Sequence, residues 1–146
     1  MDLFVYGTLM VAEVMRRVSG FDQAGDVAVL HGHRRRGLSG ELYPAIVPWP
    51  DCRVEGLLYR GLEPGQLAAL DAFEGAMYRR VPVDVVIRAD RCSAETYVLR
   101  RSWGHLLSDE DWSLQHFVSR GLREFLAGYP GFVPATAPDV ADEQRH

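Results

Sequence analysis

The sequence contains no lysine; all 16 of its basic residues are arginine. That absence excludes lysine nucleophiles and lysine Schiff bases from any chemistry the chain performs. Cysteine is scarce: Cys52 and Cys92 stand far apart without metal-type spacing, so no disulfide framework is expected and the setting is a reducing cytoplasm. No apolar run approaches the length that crosses a bilayer. Asp2 and Leu3 lead straight into the first strand-like residues, so neither a membrane anchor nor a secretory leader is expected. Positive charge is not in excess, the net charge being −4, and a nucleic-acid partner is disfavoured. Internal repeats, low-complexity segments and dividing linkers are also missing.

What is present suits one folded unit. The chain has 146 residues with 47% hydrophobic content, enough for a core without metal or disulfide staples. Residues 1–133 are expected to form the domain. Residues 134–146, rich in Ala, Pro, Asp and Glu and without periodicity, are expected to be a flexible tail.

Leu3-Phe4-Val5 reads as a buried strand that runs into Tyr6-Gly7-Thr8-Leu9. Val11, Val14, Met15 and Val18 follow at helical spacing, with Arg16 and Arg17 near the end and Gly20 as the stop. Ala24 to Leu38 looks extended, with Val27, Val29 and His31 on one face. His31-Gly32-His33 places two imidazoles on one side of that strand, but no third ligand is near, so no metal site is expected. Arg34, Arg35 and Arg36 read as a solvated edge, with substrate-carboxylate binding as the less common use.

Further along, Tyr43 to Val47 is a short extended piece ended by a Pro48-Trp49-Pro50 turn. Arg53 to Arg60 is a strand in which Gly56 marks a bulge or a close approach. Glu63 to Gly75 is a helix with Leu67, Leu70 and Phe73 on one side and Pro64 at an early position. Tyr78 to Ile87 and Ala94 to Arg101 are strands, and Asp109 to Gly128 is the longest helix. The fold class is α+β, a mixed set of strands with helices packed on them.

Two stretches carry chemistry. At the first, Gly7 permits positive φ and a close backbone approach, Thr8 is a plausible helix cap, and the free N–H groups behind it suit a carboxylate. A tight turn with a capping threonine and no ligand explains the same four residues. At the second, Leu70-Asp71-Ala72-Phe73-Glu74-Gly75 ends a helix on a carboxylate. The negative end of the helix dipole and partial burial both raise a carboxylate pKa, which suits a general base near neutrality. The plain alternative is a surface glutamate before a terminal glycine.

Taken together these pieces are far more specific. Tyr6-Gly7-Thr8-Leu9, Tyr43-Pro44-Ala45-Ile46-Val47 and Leu-Asp-x-Phe-Glu-Gly-x-x-Tyr-x-Arg (residues 70–80) resemble, in order and spacing, the γ-glutamylcyclotransferase family, and the C-terminal helix looks most like its AIG2-like branch. The resemblance implies a small mixed-strand β-barrel flanked by helices, with a pocket at one mouth. It implies that amides of the Tyr6, Gly7, Thr8 and Leu9 loop bind the α-carboxylate of a small-molecule γ-glutamyl substrate and that Glu74 is the catalytic acid/base. Tyr6 and Tyr78 are wall candidates, or else core tyrosines. No cofactor is implied. The reaction would be attack of the substrate's own α-amine on its γ-carbonyl, giving 5-oxoproline and a released amine. Such an enzyme needs no protein nucleophile. The expected partners are the substrate alone, with no nucleic acid and no membrane, and a monomer or weak homodimer. The competing reading is a non-catalytic binding domain for a carboxylate metabolite. A cysteine hydrolase built on Cys52 or Cys92 lacks any nucleophile motif.

Overall fold

Strand β1 (Leu3–Val5) is only three residues long and buried throughout, because both of its faces meet apolar partners. The structure is a computed structural model and describes residues 1–128. The expected domain boundary and tail lie outside the described residues.

Side chains alternate across a strand, and β1 uses both sides. Leu3 and Val5 face a cluster shared with the helices, containing Val14, Met15, Leu67 and Leu70. Phe4, followed by Tyr6, faces Ala28, Leu30, Ile46, Val54, Leu58, Val85 and Ala94, which come from four further strands. These are β2 (Asp26–Leu38), β3 (Pro44–Tyr59), β4 (Tyr78–Ile87) and β5 (Asp90–Leu99). The order β3-β1-β5-β4-β2, with β2 pairing back onto β3, closes a five-stranded barrel. It is mixed as expected: β1 runs antiparallel to β3 and parallel to β5. Closure removes the exposed strand edges that would otherwise recruit another chain. Thr96, fully buried on β5, donates its hydroxyl to Phe4 O at 2.8 Å and ties that parallel seam.

Helix α1 (Ala12–Ser19) stops at Gly20, which sits at φ 80 and donates its N–H to Arg16 O at 2.8 Å. Val14 and Met15 are its buried residues, each contributing roughly 1.5–3 kcal/mol by burial. Helix α2 (Pro64–Glu74) starts with Pro64 at its first turn and a reciprocal Glu63–Gln66 capping pair, and it ends at Gly75 with φ 78. The left-handed backbone there is why glycine follows Glu74.

Five expectations are corrected. The helix expected over Asp109–Gly128 begins later, because Leu107–Asp111 forms strand β6 on the outer side of β2. Helical structure then runs as α3 (Leu114–His116), a wide π-type turn (Phe117–Gly121) and α4 (Leu122–Gly128). The two extended pieces around Pro48 and Pro50 belong to one strand, β3. His31 pairs with Arg53 and His33 with Pro48, so residues 49–52 bulge out opposite Gly32, where a proline's missing N–H breaks no ladder. Gly32 and Asp51 take positive φ, 76 and 66, at this bulge. The same register shift breaks the period-two argument that put His31 and His33 on one side. Strand β5 begins at Asp90 and ends at Leu99, because a two-residue turn with Arg88 at φ 60 joins it to β4. The arginine run is not a solvated edge. Arg34 binds Asp111 and Asp109 O, and Arg36 binds Ser108 O and Asp109, so the run clamps acidic β6 to the barrel.

Candidate active site

The loop after β1 presents its carbonyls and its amides to different partners. Arg35 Nη1 donates to Tyr6 O at 2.7 Å, Met10 N–H to Gly7 O at 2.9 Å, Val11 N–H to Thr8 O at 3.1 Å and Tyr59 Oη–H to Leu9 O at 2.9 Å. Every carbonyl from Tyr6 to Leu9 is therefore engaged. No described residue accepts a hydrogen bond from the N–H of Gly7, Thr8 or Leu9. Unpaired amides at a turn form an anion-accepting concavity.

The local reason differs from the expected one. Gly7 sits at φ −133, so positive φ is not what requires glycine. Space is: a Cβ there would lie 2.7 Å from Cδ and Cγ of Pro44. Thr8 is not a cap either. It opens a short 3-10 turn, Thr8–Met10, while Val11 precedes α1 and no side chain caps either element.

A small cavity at this mouth of the barrel is lined by Tyr6, Gly7, Thr8, Leu9, Glu74 and Tyr78, with Tyr43, Pro44 and Tyr97 beside them. The six residues singled out from the sequence thus share one cavity. It holds about 20 Å³, room for one water-sized group. A second cavity, of about 310 Å³, shares Thr8, Tyr43, Glu74 and Tyr78 with the first.

Glu74, the last residue of α2, is partly buried, and its carboxyl is pushed up to about 8. Burial of the carboxyl is the main cause and the negative charge of Asp71 the second. A carboxyl poised there holds or releases a proton near neutral pH. Asp71 is a residue the sequence reading passed over, although its three-residue spacing from Glu74 puts the two on one helix face. Its carboxylate accepts from Tyr97 Oη–H at 2.7 Å and from Arg80 Nε and Nη2 at 3.0 and 3.1 Å, while Arg80 Nη1 also pairs with Glu95. Tyr97 O in turn accepts from Tyr6 Oη–H at 2.7 Å. Tyr78 donates to Pro44 O at 2.6 Å. Burial, reinforced by the neighbouring Glu74, pushes Tyr6 and Tyr78 well above the ordinary phenol range, so both act as neutral walls.

Arg35 is the second residue missed. Burial lowers its pKa, Glu55 O and the Trp112 ring surround it, and its bond to Tyr6 O fixes where the amide loop begins. Its place in a charge run hid this, because alternation sends Arg35 to the opposite face from Arg34 and Arg36. Cys52 and Cys92 lie outside the cavity. Among the described residues no three His, Cys, Asp or Glu side chains come together as a metal site, and no helix is long and apolar enough to cross a membrane.

Residues 3–114 match the sequence model of the family described as gamma-glutamyl cyclotransferase, AIG2-like. AIG2-like protein C of Arabidopsis thaliana is 31% identical over 90% of this chain and 77% of its own length. Protein AIG2 C of the same plant is 36% identical over 66% of this chain, which spans only 60% of that relative. A gamma-glutamyl cyclotransferase of known structure superposes with a TM-score of 0.63 over 97% of this chain and 85% of its own, at 15% identity, a likeness of fold.

Proposed function

Because the chain belongs to the gamma-glutamyl cyclotransferase, AIG2-like family, we propose that it cyclises a γ-glutamyl conjugate to 5-oxoproline and releases the conjugated amine, with Glu74 as acid and base. The observation that carries this reading is that Glu74 lines one cavity with Gly7, Thr8 and Leu9, whose N–H groups no described residue accepts. The substrate's α-carboxylate sits on those amides, which sets its α-amine beside Glu74. Glu74 takes a proton from the amine, whose nitrogen attacks the γ-carbonyl and closes the five-membered ring. The bond from that carbon to the conjugated nitrogen then breaks, and Glu74 returns its proton to the leaving nitrogen. The attacking atom is already in place, so ring closure outruns attack by water. Tyr6 and Tyr78 wall the site. No protein nucleophile takes part.

The test is product analysis with γ-glutamyl amines, γ-glutamyl amino acids and glutathione. Release of 5-oxoproline from at least one is expected. Binding of the series without turnover of any member would favour a non-catalytic domain for a carboxylate metabolite.

A further inference from the structure

Arg35 stands opposite Ile46 in the ladder between β2 and β3, and Ile46 is fully buried in the barrel core with Tyr6. Residues paired across a ladder share a face. Arg35 therefore turns toward the barrel, while Arg34 and Arg36 turn to Asp111 and Asp109 on β6. Its guanidinium ends on two backbone carbonyls, Tyr6 O at 2.7 Å and Glu55 O at 3.3 Å. Resting on the cyclotransferase reading above, we infer that Arg35 is a positioning residue for the substrate: through the peptide joining Tyr6 to Gly7, it places a positive charge behind the amides that bind the α-carboxylate.

Connectivity carries the argument. Each of the three amides belongs to a peptide whose carbonyl accepts a hydrogen bond. The carbonyl joined to Thr8 N–H is Gly7 O, which takes Met10 N–H at 2.9 Å. The carbonyl joined to Leu9 N–H is Thr8 O, which takes Val11 N–H at 3.1 Å. The carbonyl joined to Gly7 N–H is Tyr6 O, and its donor is the guanidinium. In a trans peptide the C=O and N–H point opposite ways, so the charge on Arg35 lies behind the direction in which Gly7 N–H donates. A charge-assisted hydrogen bond is about twice as strong as a neutral one, and bonds linked through one peptide polarise each other. Gly7 N–H is thereby the strongest donor of the three. Glu74 lines the same cavity, and when ionised it repels a bound carboxylate; the charge behind the loop offsets that repulsion.

The guanidinium is held for this task. It lies over the Trp112 ring, 5.4 Å from the centroid, and Trp112 is fixed by its Nε1–H on Leu42 O at 2.9 Å and by Phe117 at 5.7 Å. Burial pushes its pKa down, while Glu55 and Asp111 push it back up, and an arginine stays charged through the neutral range. Arg35 lines a cleft of about 370 Å³ with Arg34, Arg53, Glu55, Asp111 and Trp112, none of which lines the cavity of Glu74. It acts through the loop and not by touching substrate.

The experiment measures binding by calorimetry on the full chain, in a Glu74→Gln background so that binding is read without turnover. The ligands are γ-glutamylethylamide and its α-carboxamide counterpart. With Arg35 in place the carboxylate ligand should bind more tightly, and in Arg35→Met that preference should fall by at least about fivefold. Differences intrinsic to the two ligands cancel, because the same pair is used on both proteins. A merely structural role would weaken both ligands alike and leave the ratio unmoved. Arg35→Lys, which keeps the charge, should retain more of the preference than Arg35→Met. A measurement with Arg35 intact holds even where a variant fails to fold: the carboxylate ligand should move the Gly7 amide proton further downfield than that of Thr8 or Leu9. A smaller fall in preference, an Arg35→Lys no better than Arg35→Met, or a larger shift at Thr8 or Leu9 overturns the inference and leaves the cyclotransferase reading standing. Equal binding of the two ligands with Arg35 in place overturns the carboxylate site along with it. Failure of the cyclotransferase reading shows separately, as no 5-oxoproline from the wild-type chain while the preference and its dependence on Arg35 persist, and the inference then holds for carboxylate binding.

Discussion

Asp71 and Glu74 stand one turn apart on α2, and Asp71 is held by Tyr97 and Arg80 so that its negative charge raises the proton affinity of Glu74. The acid/base candidate is thus tuned by a neighbour as well as by burial.

The first prediction concerns pH. Glu74 must be ionised to accept a proton, so kcat/KM should rise with pH and level off above about 8. Asp71→Asn removes a like charge while keeping an acceptor for Tyr97, and the rising limb should move to lower pH. It should stay above the ordinary carboxylate range, because burial, the larger cause, is untouched. A limb that does not move would show that Asp71 has no electrostatic role.

Glu74→Gln separates activity from stability. Loss of the acid/base should lower kcat by about 10²–10⁴-fold. Stability should change in the opposite sense. The native carboxyl keeps its proton to about 8, while the unfolded one releases it near 4.5, so between those values the native state binds more protons. Wild-type stability therefore falls as pH rises through that window. The glutamine variant escapes this cost, and at pH 9 it should be the more stable by about 1–3 kcal/mol. Thermal melts at pH 5 and pH 9 check the sign.

Much of this was readable in the sequence because local chemistry and global fold agree there. Continuous burial of Leu3-Phe4-Val5, the α1 stripe ending at Gly20, and the Pro64 start and Gly75 stop of α2 each state one local preference that the fold keeps. Strand β6 was not readable. Leu107-Ser108-Asp109-Glu110-Asp111 has no β-type pattern and becomes a strand through ties to Arg34 and Arg36 more than seventy positions away. The roles of Asp71 and Arg35 were hidden for the same reason, since each depends on a partner distant in the chain: Tyr97 in one case, Tyr6 O in the other.

Gly56 tests the close approach inside the barrel. A Cβ there would lie 2.2 Å from Val5 O and 2.8 Å from the Phe4 ring, and a backbone carbonyl cannot step aside as a flexible side chain can. Gly56→Ala should destabilise by about 3 kcal/mol or more, lowering Tm by roughly 6–12 °C. Gly65→Ala, in α2 where a Cβ meets nothing within 4 Å, is the control and should leave Tm unchanged or slightly raised.

The central claim is that the substrate's own α-amine is the nucleophile, held beside Glu74 by a carboxylate bound at Gly7, Thr8 and Leu9. The most direct measurement follows 5-oxoproline and glutamate together, using one γ-glutamyl amide with its α-amine free and the same amide N-acetylated. The free compound should yield 5-oxoproline without glutamate, and the acetylated compound should be inert. Release of N-acetylglutamate from the acetylated compound, or of glutamate from the free one, would contradict cyclisation and identify water as the nucleophile.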